Sequence, residues 1–306
     1  MKTLKNLIYR NTKLFFKDKG LFFTSLITPL ILLVLYITFL GNVYRDSFLM
    51  HMPDGWIIPD SLLEGLVGGQ LVSSLLAVCC VTVAFCSNML MVQDKISGAK
   101  TDFQMTPVSP SVLALSYFVA SFTATLCICM TALCAGLCYL GAVGWYLSVS
   151  DVCLLVLDIC LLVLFGTALS SVINFFLSSQ GHISAVGSLV SSVYGFVCGA
   201  YMPISQFSDG LQTAITFLPG TYGTVLFRNH AMRGVFSELE GLGLPKELVT
   251  EMMDAVDCNL YFLGDRVTIS AMYAVVALTV LLLLGVYIFL HFASRRGFFA
   301  TKGKKS

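Results

Sequence analysis

Charge is what this chain has least of: only 11% of its 306 residues are Asp, Glu, Lys or Arg, against 57% hydrophobic residues. That leaves too little polar surface to cover a soluble globule of this size, so an all-α, multi-pass membrane protein is expected. A GxxxxGK[ST] loop is missing as well, the nearest glycine-lysine pair being Gly303-Lys304 in the tail. The chain therefore has no loop to cradle nucleotide phosphates, and any ATP and Mg belong on another subunit. Ten of the eleven cysteines lie in apolar runs, where they act as small hydrophobes, and only Cys258 falls in a polar stretch. Zinc and redox chemistry are set aside on that ground, and no metal, cofactor or catalytic residue is expected in this chain. Ionisable residues inside the apolar runs are nearly absent, which argues against a proton- or ion-coupled carrier. Asp158 is the exception, and Asn174 is a further intramembrane polar residue. No nucleic-acid partner is expected. The first twenty residues are basic and amphipathic, unlike a cleavable signal peptide.

What the chain has in quantity is long apolar runs. Spans are expected at residues 21–40, 62–92, 112–140, 152–177, 184–202 and 267–292, each long enough for about 30 Å of hydrocarbon. Before them, residues 1–20 read as an interfacial helix, with Leu4, Leu7, Ile8, Leu14 and Phe15 on one face and Lys2, Lys5, Arg10, Lys13 and Lys17 around the other. Asn11 and Asp18 dilute the apolar face. Pro29 lies within the first span, where a kink is tolerated. Gly65 and Gly69 in the second form a small-xxx-small pair that admits a neighbouring helix. The third apolar run continues to Leu147 and is expected to bend or end near Gly141 and Gly144. In the fifth, Gly187, Ser191, Gly195 and Gly199 make a small-residue stripe, suited to packing inside the monomer, a dimer contact or a pathway wall, with Tyr194, Phe196 and Tyr201 beside it.

Between the spans, residues 42–61 read as a loop with Trp56 at the membrane interface. Residues 203–227 are expected to form a pair of short half-inserted helices, and 228–266 an acidic loop with a small helix near 244–256. Six spans put both termini on one side. That side carries thirteen Lys and Arg against five on the other, so termini and the 93–110 segment are expected in the cytoplasm.

The segment 93–110, QDKISGAKTDFQMTPVSP, is the one polar elbow between two long spans. A short helix there, held between rigid spans, transmits a rigid-body movement of a partner. Asp94, Lys95, Lys100 and Asp102 are its expected polar contacts and Phe103 its apolar anchor.

This elbow resembles the cytoplasmic loop between spans two and three in permease subunits of type-2 ABC exporters. The residues carrying the likeness are the charged run from Asp94, Gly98, Asp102, Phe103 and the Thr106-Pro107 pair. Others are Lys17-Asp18 at the end of the basic helix (with Lys13 on the same helix), Pro29, and an outer pattern of Gly199, Pro203, Leu211, Gln212, Leu218, Pro219, Tyr222 and Arg228. Asp94 follows a Gln where that family more often has paired glutamates. The resemblance implies a dimer of permeases, homo- or heteromeric, in a bacterial plasma membrane, driven by a separate cytoplasmic ATPase and exporting an amphipathic or lipophilic substrate. A lipid-linked polysaccharide exporter of the same family, an energy-independent channel and a membrane-embedded enzyme are the alternatives.

Overall fold

The computed structural model of the chain describes residues 2–50 and 58–295. Trp56 and the tail beyond residue 295 lie outside the described residues. The architecture is all-α apart from one two-stranded hairpin.

The basic amphipathic stretch forms α1 (Lys2–Lys17), which buries Leu7, Asn11 and Phe15 and packs along α7 (Pro110–Val143). The Asp18 carboxylate then accepts the Leu21 N–H at 3.1 Å and caps α2 (Lys19–Leu35), which contains Pro29. A wide π turn (Tyr36–Leu40) joins α2 to α3 (Gly41–Met50), making one apolar rod over Lys19–Met50. Residues 42–50, expected to belong to a loop, are therefore helical. Tyr44 and Phe48 prolong the buried stripe of α2, and the Tyr44 ring stacks on Tyr36 at 5.9 Å, so the polar residues between them stay helical.

Helix α4 (Asp60–Asn88) is the centre of the molecule. Of its most apolar 18-residue window 94% is buried, against 22% for α7, so α4 meets protein on every side and α7 does not. The expected helix neighbour at Gly65 and Gly69 is α11 (Pro219–Gly241). A Cβ on Gly69 would lie 3.2 Å from the Ala231 carbonyl oxygen, and one on Gly65 would meet Val235. After a slight break α5 (Leu90–Ile96) and α6 (Ala99–Gln104) form the elbow, joined through Gly98 at φ 84°, a left-handed position that favours glycine.

Ser109 caps α7, with Pro110 at its first turn, and the helix stops before Gly144, as the glycines there suggested. Ser148 and Asp151 cap α8 (Val149–Phe176) reciprocally. Next come α9 (Gln180–Val197), α10 (Asp209–Thr216), α11, α12 (Lys246–Ala255), the hairpin of β1 (Tyr261–Phe262) and β2 (Asp265–Arg266), and α13 (Ile269–Arg295). Among the described residues, five stretches are long and apolar enough to cross a membrane: Lys19–Met50, Asp60–Ile96, Pro110–Val143, Val149–Phe176 and Ile269–Ala293. Where the fifth span is expected, at 184–202, the chain forms the 18-residue α9, which is not among these five. Helices α8 and α13 run parallel, because Asp158 meets Tyr273 near their beginnings and Phe175 meets His291 near their ends. The chain between them must return the length of α8, and α9 begins that return.

The outer segment departs from expectation. Instead of two short helices and a loop, α10 is followed by the 23-residue α11, and Arg228 sits in mid-helix. Helix α11 runs antiparallel to α8: Gly223 packs on Leu162, His230 on Asp158 and Arg233 on Asp151. Its Gly223 thus lies roughly 17 Å along α8 from Asp151, at 1.5 Å per residue, and from there the helix runs back toward the start of α8. Its buried residues Arg228, Asn229 and His230 each find a partner. The guanidinium of Arg228, with no exposed surface, pairs with Asp257 at 3.0 Å and donates to the Gly199 carbonyl. With its amide oxygen turned toward the guanidinium, Gln70 on α4 accepts at 3.1 and 3.2 Å. Asp257 also accepts the Ile204 and Ser205 N–H groups at 2.5 and 3.3 Å. Burial pushes the Asp257 carboxyl up from its ordinary value, while Arg228 and these two amides hold it down.

A fully buried pair is costly to halve. Arg228→Met should destabilise the protein by about 3–5 kcal/mol, and Arg228→Met with Asp257→Leu should regain most of that. Thermal unfolding of the purified protein checks this; equal losses in single and double variants would show that the pair is not the cause.

Candidate coupling site

The elbow is built from the inside out. In α5 the spacing of Leu90, Met91 and Asp94 puts all three on the buried face. Asp94 is therefore turned into the protein, where Arg10 of α1 donates to it twice, at 2.7 and 3.2 Å, and Tyr117 of α7 donates at 2.5 Å. This corrects the expectation that Asp94 offers its charge to a partner: the carboxylate is 8% exposed and fully engaged. The hydrogen bond that Arg10 donates to Asp94 raises the guanidinium further above its already high value. Asn11, one residue on, is buried and donates to Ser116 of α7 at 3.2 Å. Arg10 also lies 4.9 Å above the Phe103 ring of α6. One guanidinium thereby ties α1, α5 and α6 into a single body.

Lys95 is turned inward too. Its ammonium donates to the carbonyls of Asn174, Phe175 and Leu177 at 3.0, 2.8 and 3.2 Å, closing the C-terminal end of α8. A cation there satisfies orphan carbonyls and complements the helix dipole. The Asn174 side chain is fully buried, and neither of its amide atoms has a hydrogen-bond partner among the described residues. Lys100 is half-buried, and burial lowers its pKa from the ordinary value.

What faces outward is the other side of the elbow: Asp102, Met105, Thr106 and Pro107 are exposed, Met105 at 83%, and Gly98 is partly covered. Met105, and to a lesser degree Ile96, rather than Phe103 are the exposed apolar side chains of the elbow. On α1, Lys13 and Lys17 are exposed, and Asp18 is occupied in capping α2.

The remaining polar and small residues gather elsewhere. Asp158 is buried between His230 Nδ1 at 2.6 Å and the Tyr273 hydroxyl at 2.5 Å, tying α8 to α11 and α13 by interhelical hydrogen bonds. The α9 stripe packs within the chain at Gly187, against Met89, and at Gly195, under the Tyr201 ring. Gly199, at φ 74°, ends it beside Ile204 and Arg228. Ser191 is partly exposed, and the Tyr194 hydroxyl is buried against Gly220. Phe196 is half exposed, with Leu189 and Val193 on the same face. Residues that sequence reasoning passed over are Arg10 as a partner of Asp94, Tyr117, Gln70, His230, Tyr273 and Asp257. Asn11 in the apolar stripe of α1 was the available signal for the first of these contacts.

A long buried helix, four further apolar rods and a rigid polar elbow between two of them define a multi-pass helical membrane protein. The chain belongs to the ABC-2 type transporter family, whose model matches residues 2–231, and is a transmembrane component of such a transporter. A comparison with curated proteins returns no match.

Removing either half of the Arg10–Asp94 pair should loosen α1 from the elbow. Arg10→Gln and Asp94→Asn are each expected to cost about 1–3 kcal/mol, and the double variant clearly less than their sum. Thermal melting of the four proteins measures this, and additive losses would sever the proposed connection.

Proposed function

We propose that this chain is the membrane-spanning subunit of an ATP-driven exporter, working as a dimer with two copies of a separate cytoplasmic ATPase that binds ATP and Mg. The observation that carries the reading is the Arg10–Asp94–Tyr117 cluster, which locks the elbow to α1 and to the start of α7. Force applied at the exposed edge of the elbow therefore moves α1, α4 and α7 together instead of being lost in a flexible loop. The partner surface is Asp102, Met105, Thr106 and Pro107, flanked by Lys13 and Lys17 on α1. Asp94, Lys95 and Phe103 act beneath it, holding its shape.

Helices α2, α4, α7, α8, α9 and α13 are the six crossings, with both termini and the elbow in the cytoplasm of a bacterial cell and the α10–α12 segment outside. The excess of Lys and Arg on the elbow side supports this orientation. The second permease copy meets the exposed α9 face of Leu189, Val193 and Phe196. The scarcity of charge along the spans favours an amphipathic or lipophilic cargo.

Charge reversal at the exposed edge separates docking from folding. Asp102→Lys should reduce recovery of the ATPase with tagged permease by about tenfold, as expected for 1.4 kcal/mol, while the size-exclusion profile and melting temperature stay unchanged. Undiminished recovery, with Met105→Glu equally silent, would remove this surface from the interface.

A further inference from the structure

Behind the elbow, on the side away from its exposed edge, lies a cleft of about 190 Å³. Its polar lining is Lys95, Lys100, His291 and Tyr117, with two lysine ammonium groups among them, and Phe103, Pro110 and Phe175 are among its walls. No carboxylate lines it among the described residues, since the nearby Asp94 is turned to Arg10 and Tyr117. Lys95 reaches it with its ammonium already anchored on α8, so that charge is fixed in place. Lys100 makes no ion pair or side-chain hydrogen bond among the described residues and is half-buried, which leaves a cation partly stripped of water with nothing to balance it. The two ammonium groups also repel each other. An anion between them would relieve both penalties.

The surroundings indicate which anion. The cleft lies where α5 and α13 end and α7 begins, at the mouth of the seam between α7 and α13, which Tyr287 closes by donating to the Ala114 carbonyl at 3.2 Å. Adjacent in sequence to the lining residues Ala114 and His291, α7 exposes Leu115 and α13 exposes Phe292. Polar cations at the level of the helix ends above an apolar flank match a headgroup followed by acyl chains. We propose that this cleft binds the phosphate of an anionic phospholipid, with its chains lying along the α7–α13 seam. Bound there, the lipid lies against Phe103 and Lys100 on the inner side of α6, so its presence stiffens the elbow from behind. The placement at the inner leaflet rests on the orientation proposed above, whereas affinity for the lipid does not require the ATPase.

The test uses the purified full-length permease alone, in neutral detergent, with native mass spectrometry to count bound lipid. Phosphatidylglycerol and phosphatidylcholine are titrated separately, and inorganic phosphate is added as competitor. The wild type should prefer phosphatidylglycerol, Lys100→Gln should weaken that binding by about fivefold, and Lys100→Arg should retain it. Lys246→Gln, on the exposed face of α12, should leave it unchanged. Equal binding of the two lipids, or an undiminished preference in Lys100→Gln, would overturn the site. Full competition by inorganic phosphate at or below millimolar concentration would overturn the lipid assignment in favour of a free anion. Because no ATPase is present, failure here leaves the docking reading untouched, and loss of docking in Asp102→Lys leaves this one untouched.

Discussion

A helix enclosed on all sides by protein cannot leave a polar group to water, and α4 with its extension α5 is such a helix. Ser73 and Thr82 bond carbonyls of α4 itself, and the Ser74 hydroxyl has no partner among the described residues, but Gln70, Ser87, Asn88 and Asp94 find partners on other elements, and those partners arrange the molecule. Gln70 reaches Arg228 on α11, which in turn holds Asp257 and the Gly199 carbonyl. Ser87 meets Thr125 of α7, and Asn88 donates to Ser170 and Ser171 of α8 at 3.0 and 2.8 Å. Asp94 ends the series on Arg10 and Tyr117. Apolar burial alone would let helices slide and rotate against one another; these directional contacts at successive depths set the registers.

The same requirement explains which parts of the structure were legible in the sequence. Apolar length and the basic stripe of α1 located most of the helices, and Gly65 with Gly69 marked a close helix contact, because these signals are local and periodic. Pairings distant in the chain are not. Arg228 reads as a surface charge until Asp257, twenty-nine residues later, is seen to neutralise it. The hydrophilic letters of Asn42–Met50 read as a loop, although Tyr44 and Phe48 keep a four-residue stripe that needs only a partner helix to become a buried face. At the elbow, polarity suggested a surface throughout. The structure puts Asp94 on the buried face of α5 with Leu90 and Met91, a shared face that composition alone does not reveal.

The elbow therefore has two faces with different work. Its inner face is a closed electrostatic assembly in which Arg10, Asp94, Tyr117 and Lys95 fix α1, α5, α7 and the end of α8 relative to one another. Its outer face is small: Ile96, Ser97, Thr101, Asp102, Met105 and a Thr-Pro corner. A surface so small acquires leverage only because the inner face is stiff. Gly98, in its left-handed conformation between α5 and α6, has open space around its α-carbon, so the bend between the two short helices is set by backbone geometry and not by side-chain crowding.

The π turn at Tyr36–Leu40 has a geometric effect beyond joining α2 to α3. Side chains repeating every four residues on an ordinary α-helix drift around the axis by about 40° per step, since each residue turns about 100°. From Leu32 onward the inward positions Leu32, Tyr36, Leu40, Tyr44 and Phe48 repeat at that spacing. A wide turn, with its extra residue, takes back part of the accumulated rotation. The first rod thereby works like a vernier: one loosened coil in its middle keeps both halves facing the same straight neighbour, with no need for the two helices to supercoil.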